Sequence, residues 1–187
     1  IDFKQINTLS IAIPGEKTTA NLLLSLAAPK ALNKTELLFS DIEEAVLNGQ
    51  YDLGLIIHES RFTYQQKGLH KIIDLGDWWE NSMKAAIPLG GIVMKRSFDK
   101  ELCTLVDRLI KESIAYSWQH YPQLSSFVQC HAQEMEENVM RQHIQLYVNE
   151  FTTELGSLGK HSIETLFGKA QEAGMIQEHE IAEKLLY

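Results

Sequence analysis

No run of apolar residues in this chain approaches the ~20 needed to cross a bilayer, so no membrane span is expected. Clusters of lysine and arginine are also missing: 17 basic residues stand against 25 acidic ones, for a formal net charge of −8. Nucleic acids and anionic membranes reward a basic footprint, so neither is expected as a partner. A small anionic ligand is still allowed, because one pocket can be positive on an acidic protein. Cysteine is scarce. Cys103 and Cys130 are far apart in helical-looking segments and outside any C-x-x-C, which gives zinc and redox roles no support and predicts a reduced, buried pair. G-x-S-x-G and G-x-G-x-x-G are absent too, which counts against serine-hydrolase and Rossmann chemistry. Internal repeats, low-complexity stretches and flexible linkers are not found.

What remains is an ordinary globular composition, 44% hydrophobic and 22% charged, on a chain long enough for one large domain or two small ones. Ile1, not methionine, comes first, and the chain soon enters a strand. No signal or transit segment is visible, and the start reads as a cut inside a longer protein.

The first half alternates short β-like runs with helical ones. Leu9 to Ile13 reads as a strand, ended by the turn Pro14-Gly15. Thr18 and Thr19 open an apolar helix over 20–28. Glu36 to Phe39 is a short strand candidate, and Ser40 or Asp41 is expected to cap a helix over 42–48 that stops at Gly49. Asp52 to Ile57 is nearly all apolar, as suits a strand buried on both faces. Lys71 to Leu75 reads as another strand. Such repeated β-α-β units predict an α/β fold with a parallel sheet. After Phe98 the spacing turns helical: Leu102, Leu105, Val106, Leu109 and Ile110, then Met140 to Phe151, then Ile163 to Ala170. Three or four amphipathic helices follow, with one strand, Gly91 to Met94, at the join.

The chemistry is expected in Leu55 to Tyr64, L-I-I-H-E-S-R-F-T-Y. His58 ends a predicted parallel strand, and ligands of open α/β sheets bind beyond the carboxyl ends of their strands. A neutral imidazole is a competent base near neutral pH. Spacing alone favours a histidine that only bonds a neighbouring backbone carbonyl. Glu59 points away from His58 if the strand continues, and Phe62 breaks the H-E-x-x-H zinc pattern. Arg61 could grip a carboxylate, but a structural salt bridge is the expectation. The second candidate is Pro14 to Ala20, P-G-E-K-T-T-A, a strand-to-helix turn that would offer backbone N–H groups to an anion. It lacks the Walker A spacing, and Thr18 or Thr19 could serve simply as a cap. Trp78-Trp79 suit partly buried packing at a helix start. His131 and His143 suit surface or packing roles rather than metal binding.

Several strings together resemble one family. They are I-P-G-E-K-T-T-A (Ile13 to Ala20), I-I-H-E-S-R-F-T-Y (Ile56 to Tyr64), G-L-H-K-I-I-D-L-G-D-W-W-E (Gly68 to Glu80), P-L-G-G-I-V (Pro88 to Val93), H-A-Q-E-M (His131 to Met135) and Y-V-N-E-F (Tyr147 to Phe151). In this order they resemble the 1,4-dihydroxy-6-naphthoate synthases of the futalosine route to menaquinone. The resemblance implies a two-lobed fold like type II periplasmic solute-binding proteins, with substrate between the lobes. It implies a cytoplasmic carbon–carbon lyase that converts cyclic dehypoxanthine futalosine to 1,4-dihydroxy-6-naphthoate and releases a three-carbon fragment. No metal or organic cofactor is implied, and homodimerisation is left open. His58 matches the family's proton acceptor; Thr19 and Ala20 match its substrate-binding turn. Family members also carry an N-terminal segment with an S-P-C-P-N-D-T-F type motif, which this sequence does not contain. Residues 1–92 would then be the second α/β lobe, and 93–187 a return strand and helices packing on a largely missing first lobe. A solute-binding protein of the same fold and the chorismate dehydratase of the same pathway are the alternatives.

Overall fold

A computed structural model describes residues 3–58, 60–123, 125–131 and 136–176. They fall into two compact units, one running to Pro88 and resuming at Leu158, the other spanning Leu89–Ser157. Glu59 and the residues 132–135 of the H-A-Q-E-M string lie outside the described residues.

The first unit is built on a small parallel sheet. Ile11-Ala12-Ile13 form β1 (Ile11–Ile13), and all three are buried, as β-branched and small residues between two helical layers should be. β2 (Lys34–Glu36) and β3 (Leu53–Gly54) flank it in the order β2-β1-β3, with Ile11 level with both Lys34 and Leu53. The ladder runs slightly beyond these bounds, through Leu37 N–H to Ile13 O at 2.9 Å and Leu55 N–H to Ala12 O at 2.8 Å. α1 (Thr19–Ala27) connects β1 to β2, and α2 (Ile42–Leu47) connects β2 to β3. Right-handed crossovers that run in opposite directions across the sheet, β1 to β2 and then β2 to β3, put these two helices on opposite faces. The fold is α/β, as the alternation predicts.

Two apolar clusters hold the unit together. Ile6, Ile11, Ile13, Leu24, Ala28 and Ala31 form one; Leu23, Trp79 and Leu166 form the other. Trp79 lies in α4 (Leu75–Met83), has no exposed surface, and donates its indole N–H to Ala86 O at 3.3 Å. Leu166 belongs to α9 (Gly156–Glu172), so the last described helix closes the core of the first unit.

Several expected elements differ. Glu36 to Phe39 is not the strand: pairing sits two residues earlier, and Phe39–Asp41 already forms a 3-10 turn. Neither Ser40 nor Asp41 caps α2 with its side chain; Ser40 Oγ instead donates to Asp41 Oδ1 at 2.8 Å. Asp52 to Ile57 is only partly buried and pairs on one side only, because β3 is an edge of the described sheet. Lys71 to Leu75 is no strand. Asp74 accepts from Gly76 N–H at 2.9 Å and from Asp77 N–H at 3.3 Å, and this cap turns the chain into α4.

The second unit consists of α5 (Lys100–His120), α6 (Ser126–His131), α7 (Glu137–Tyr147) and α8 (Glu150–Thr153). Met140 to Phe151 is therefore not one helix: Asn149 accepts from Phe151 N–H at 3.0 Å and restarts the chain as α8. The expected strand Gly91 to Met94 is irregular, with Ile92 76% and Val93 90% exposed. A lone extended run with no neighbour cannot satisfy its backbone groups as a strand. Cys103 and Cys130 are both free thiols, but neither is buried, because α5 and α6 bury no residue. Among the described residues no helix is long and apolar enough to cross a membrane.

Candidate active site

β1 and β3 are parallel neighbours, and the chain leaves β1 toward β2 on one side and returns to β3 on the other. That makes the β1/β3 junction a topological switch point. Ligands of open α/β sheets favour the crevice at the carboxyl side of such a junction. Two segments emerge there. Pro14 to Ala20 leaves β1, and Ile56 to His58 leaves β3, from strands that in any sheet lie about 4.8 Å apart. The fold thus brings to one edge the two candidates that spacing singled out separately.

The first segment is a clamped turn. Thr18 caps α1, its Oγ1 accepting from Asn21 N–H at 3.2 Å and donating to Gly15 O at 2.8 Å. Asn21 is buried and donates its side-chain amide to Glu16 O at 2.9 Å. The Glu36 carboxylate accepts from Glu16 N–H. Lys34 reaches in from β2, donating to Asn21 Oδ1 at 3.1 Å and Ser25 Oγ at 2.7 Å. Burial lowers the pKa of this amine from its ordinary value. With Glu16 held at both ends, the N–H groups of Thr19 and Ala20 stand at the half-buried first turn of α1. Neither meets an acceptor among the described residues. Unpaired donors at a helix start suit the oxygens of an anionic or polarised ligand.

The second segment carries His58, which is not the last residue of a buried strand. It is exposed, lies past the end of the ladder, and has φ of +55°, in the left-handed region that few residues other than glycine enter and that histidine visits more than most. Its carbonyl accepts from Arg61 N–H at 3.4 Å at the entry to α3 (Ser60–Thr63). Its ring packs edge-on against Phe39, with centroids 5.0 Å apart. Among the described residues no hydrogen bond fixes either ring nitrogen, so the imidazole is free to meet a ligand.

Arg61 forms the salt bridge expected of it, a loose one to Asp74 at 3.8 Å, and lies over the Phe62 ring. Trp79 is core and Trp78 packs beside it. In the second unit His131 packs on Phe127, and His143 stacks on Tyr147 with centroids 4.5 Å apart. Open hollows of about 540 Å³, beside Arg141, and about 380 Å³, at the far end of α1 from Thr19, include neither His58 nor the Thr19–Ala20 pair.

A family model described as menaquinone biosynthesis matches residues 2–172. The chain belongs to the menaquinone biosynthesis family. Among relatives, the 1,4-dihydroxy-6-naphthoate synthase of Thermus thermophilus is 37% identical over 167 residues, and that of Streptomyces coelicolor 40% identical over 172. Each alignment covers 89% of this chain but 61% of the relative, so the chain spans about three-fifths of their length. A solved protein from Archaeoglobus fulgidus superposes with a TM-score of 0.83 at 32% identity, covering 90% of this chain and 63% of its own.

Within this menaquinone-family unit, sequence reasoning missed Glu43 and Lys34. A signal for Glu43 existed: Phe39, Glu43, Val46 and Leu47 fall at i, i+4, i+7 and i+8, so an acid interrupts an apolar helical row. The role of Lys34 depends on the side-by-side placement of β2 and α1, which spacing along the chain does not carry.

Proposed function

We propose that this chain carries the base-bearing α/β unit of a 1,4-dihydroxy-6-naphthoate synthase. The observation that supports the reading best is the shared position of His58 and the free Thr19 and Ala20 N–H groups beyond adjacent parallel strands. The substrate is cyclic dehypoxanthine futalosine. Neutral His58 removes a proton from its cyclised sugar portion; ring opening and carbon–carbon cleavage follow, driven by aromatisation of the naphthalene ring, and a three-carbon fragment leaves. The Thr19 and Ala20 donors hold substrate oxygens where negative charge is present or develops. The turn that carries them is already fixed through Glu16, Thr18 and Asn21, so little reorganisation accompanies binding.

In this reading the protein has the two-lobed form of type II solute-binding proteins, with residues 1–92 in one lobe. The facing wall of the cleft comes from the length of the relatives that this chain does not span. Residues 93–157 carry the return toward that other lobe, while α9 packs back on the first unit. The bare apolar side chains of Ile92, Val93, Leu105 and Leu109 favour burial against such a lobe.

The test is incubation of the protein at its relatives' full length with cyclic dehypoxanthine futalosine, following naphthoate by mass spectrometry. Naphthoate formation supports the lyase. Binding without product would favour a solute-binding protein, and a dehydrated product from chorismate would favour the dehydratase.

A further inference from the structure

The segment that carries His58 is tied to one buried acid. Glu43 lies in α2 with its side chain 4% exposed. Its Oε2 accepts from Lys67 Nζ at 2.6 Å and from Ser60 Oγ at 3.2 Å. The other oxygen, Oε1, is buried and has no hydrogen-bond partner among the described residues. A buried carboxylate needs full pairing to offset its lost hydration, and an apolar residue would suit the packing of α2 better. An acid kept in such a place points to a role beyond packing.

The two residues that Glu43 holds bracket one stretch of chain. Ser60 opens α3 two positions after His58. Lys67 sits in the turn after α3, where Lys67 N–H bonds Tyr64 O at 3.2 Å and Gly68 N–H bonds Gln65 O at 3.0 Å. Phe39, one helical turn before Glu43, is the residue that meets the His58 ring. Ring and segment are therefore both referenced to residues 39–43.

We infer that Glu43 is a positioning residue for His58, fixing residues 60–68, just beyond it, through Ser60 and Lys67. The inference rests on the reading of His58 as the proton acceptor. Its structural half can be tested without turnover.

Four single variants of the full-length protein are compared: Glu43→Gln, Lys67→Met, Lys67→Arg and Ser60→Ala. Amide hydrogen exchange is read across 60–69, the His58 ring protons are followed by NMR, and kcat and KM are measured on cyclic dehypoxanthine futalosine. Glu43→Gln and Lys67→Met should speed exchange of the Tyr64, Lys67 and Leu69 amides on the order of tenfold and shift the His58 resonances. Their kcat should fall on the order of ten- to hundredfold, the scale of a slightly misplaced group, with KM little changed. Lys67→Arg keeps the charge pair and should restore most of both. If Glu43→Gln fails to fold, Lys67→Met, altered at a half-exposed side chain, still decides the matter. Parent-like exchange and His58 resonances in Lys67→Met would overturn the inference, as would a Lys67→Arg variant no better than Lys67→Met. A parent that makes no naphthoate defeats the synthase reading alone, because exchange and resonances still report whether Glu43 sets the place of His58.

Discussion

His58 occupies a backbone conformation that few side chains tolerate, and this separates its structural tolerance from its chemistry. Asparagine also visits the left-handed region with little penalty, so His58→Asn should unfold within about 0.5 kcal/mol of the parent in urea. A valine there should cost about 1–2 kcal/mol, because a β-branched side chain crowds the following carbonyl. Asp52 shows a different kind of local control. Its Oδ2 accepts from Ser10 Oγ at 2.7 Å and from Ser10 N–H at 2.8 Å, and Ser10 Oγ in turn accepts from Asp52 N–H at 3.0 Å. The hydroxyl and then the backbone bond hold the folded pKa below the ordinary 3.8. A depressed carboxyl pKa contributes stability that is present above the unfolded value and is lost as pH falls through the folded one. Asp52→Asn should therefore flatten the decline of the unfolding midpoint below about pH 4 and leave it least changed in the most acidic buffers. Thermal unfolding between pH 2 and 7 checks this.

Elements were legible wherever one local signal sufficed. Ile11 to Ile13, the Thr18-capped α1, α5 and α9 follow from apolar periodicity and capping residues. The strands that failed share a cause: strand formation needs a partner. Lys71 to Leu75 has strand-like residues, but the cap at Asp74 acts locally and wins. Gly91 to Met94 has no neighbour to pair with among the described residues. The candidate site divides in the same way. His58 could be singled out from its place at the end of a predicted strand, and the Pro14 to Ala20 turn from its place between strand and helix, with Thr19 and Ala20 within it marked by the family resemblance. Glu43 showed only as an acid within an apolar helical row and Lys34 not at all, since Lys67 and Asn21, which they bond, lie 24 and 13 positions away. Close packing adds a test at this scale. A Cβ on Gly54 would lie 2.6 Å from Ile42 Cγ2 and 3.0 Å from Val46 Cγ2, so α2 rests directly on β3. Gly54→Ala should destabilise by about 1–3 kcal/mol through overpacking, and the displaced end of β3 should lower turnover as well. Denaturant unfolding paired with the turnover assay would show both effects.

At the scale of the whole molecule, the first unit has a core of its own, and Trp79 is its largest fully buried side chain. Trp79→Ala should cost about 3–5 kcal/mol in urea unfolding, since α1, α4 and α9 all pack around that ring. The family is established by the match over 2–172, and the chain's share of its relatives' length, 61%, makes the activity a property to be tested on the longer protein. The central claim is that His58 at the β1/β3 switch point is the base of a naphthoate-forming lyase. The most direct measurement is kcat for cyclic dehypoxanthine futalosine in the full-length parent and its His58→Asn variant, at matched folded concentration. Naphthoate from the parent with a loss of about a hundredfold or more in the variant is the expected result. Near-equal turnover by the two would contradict it.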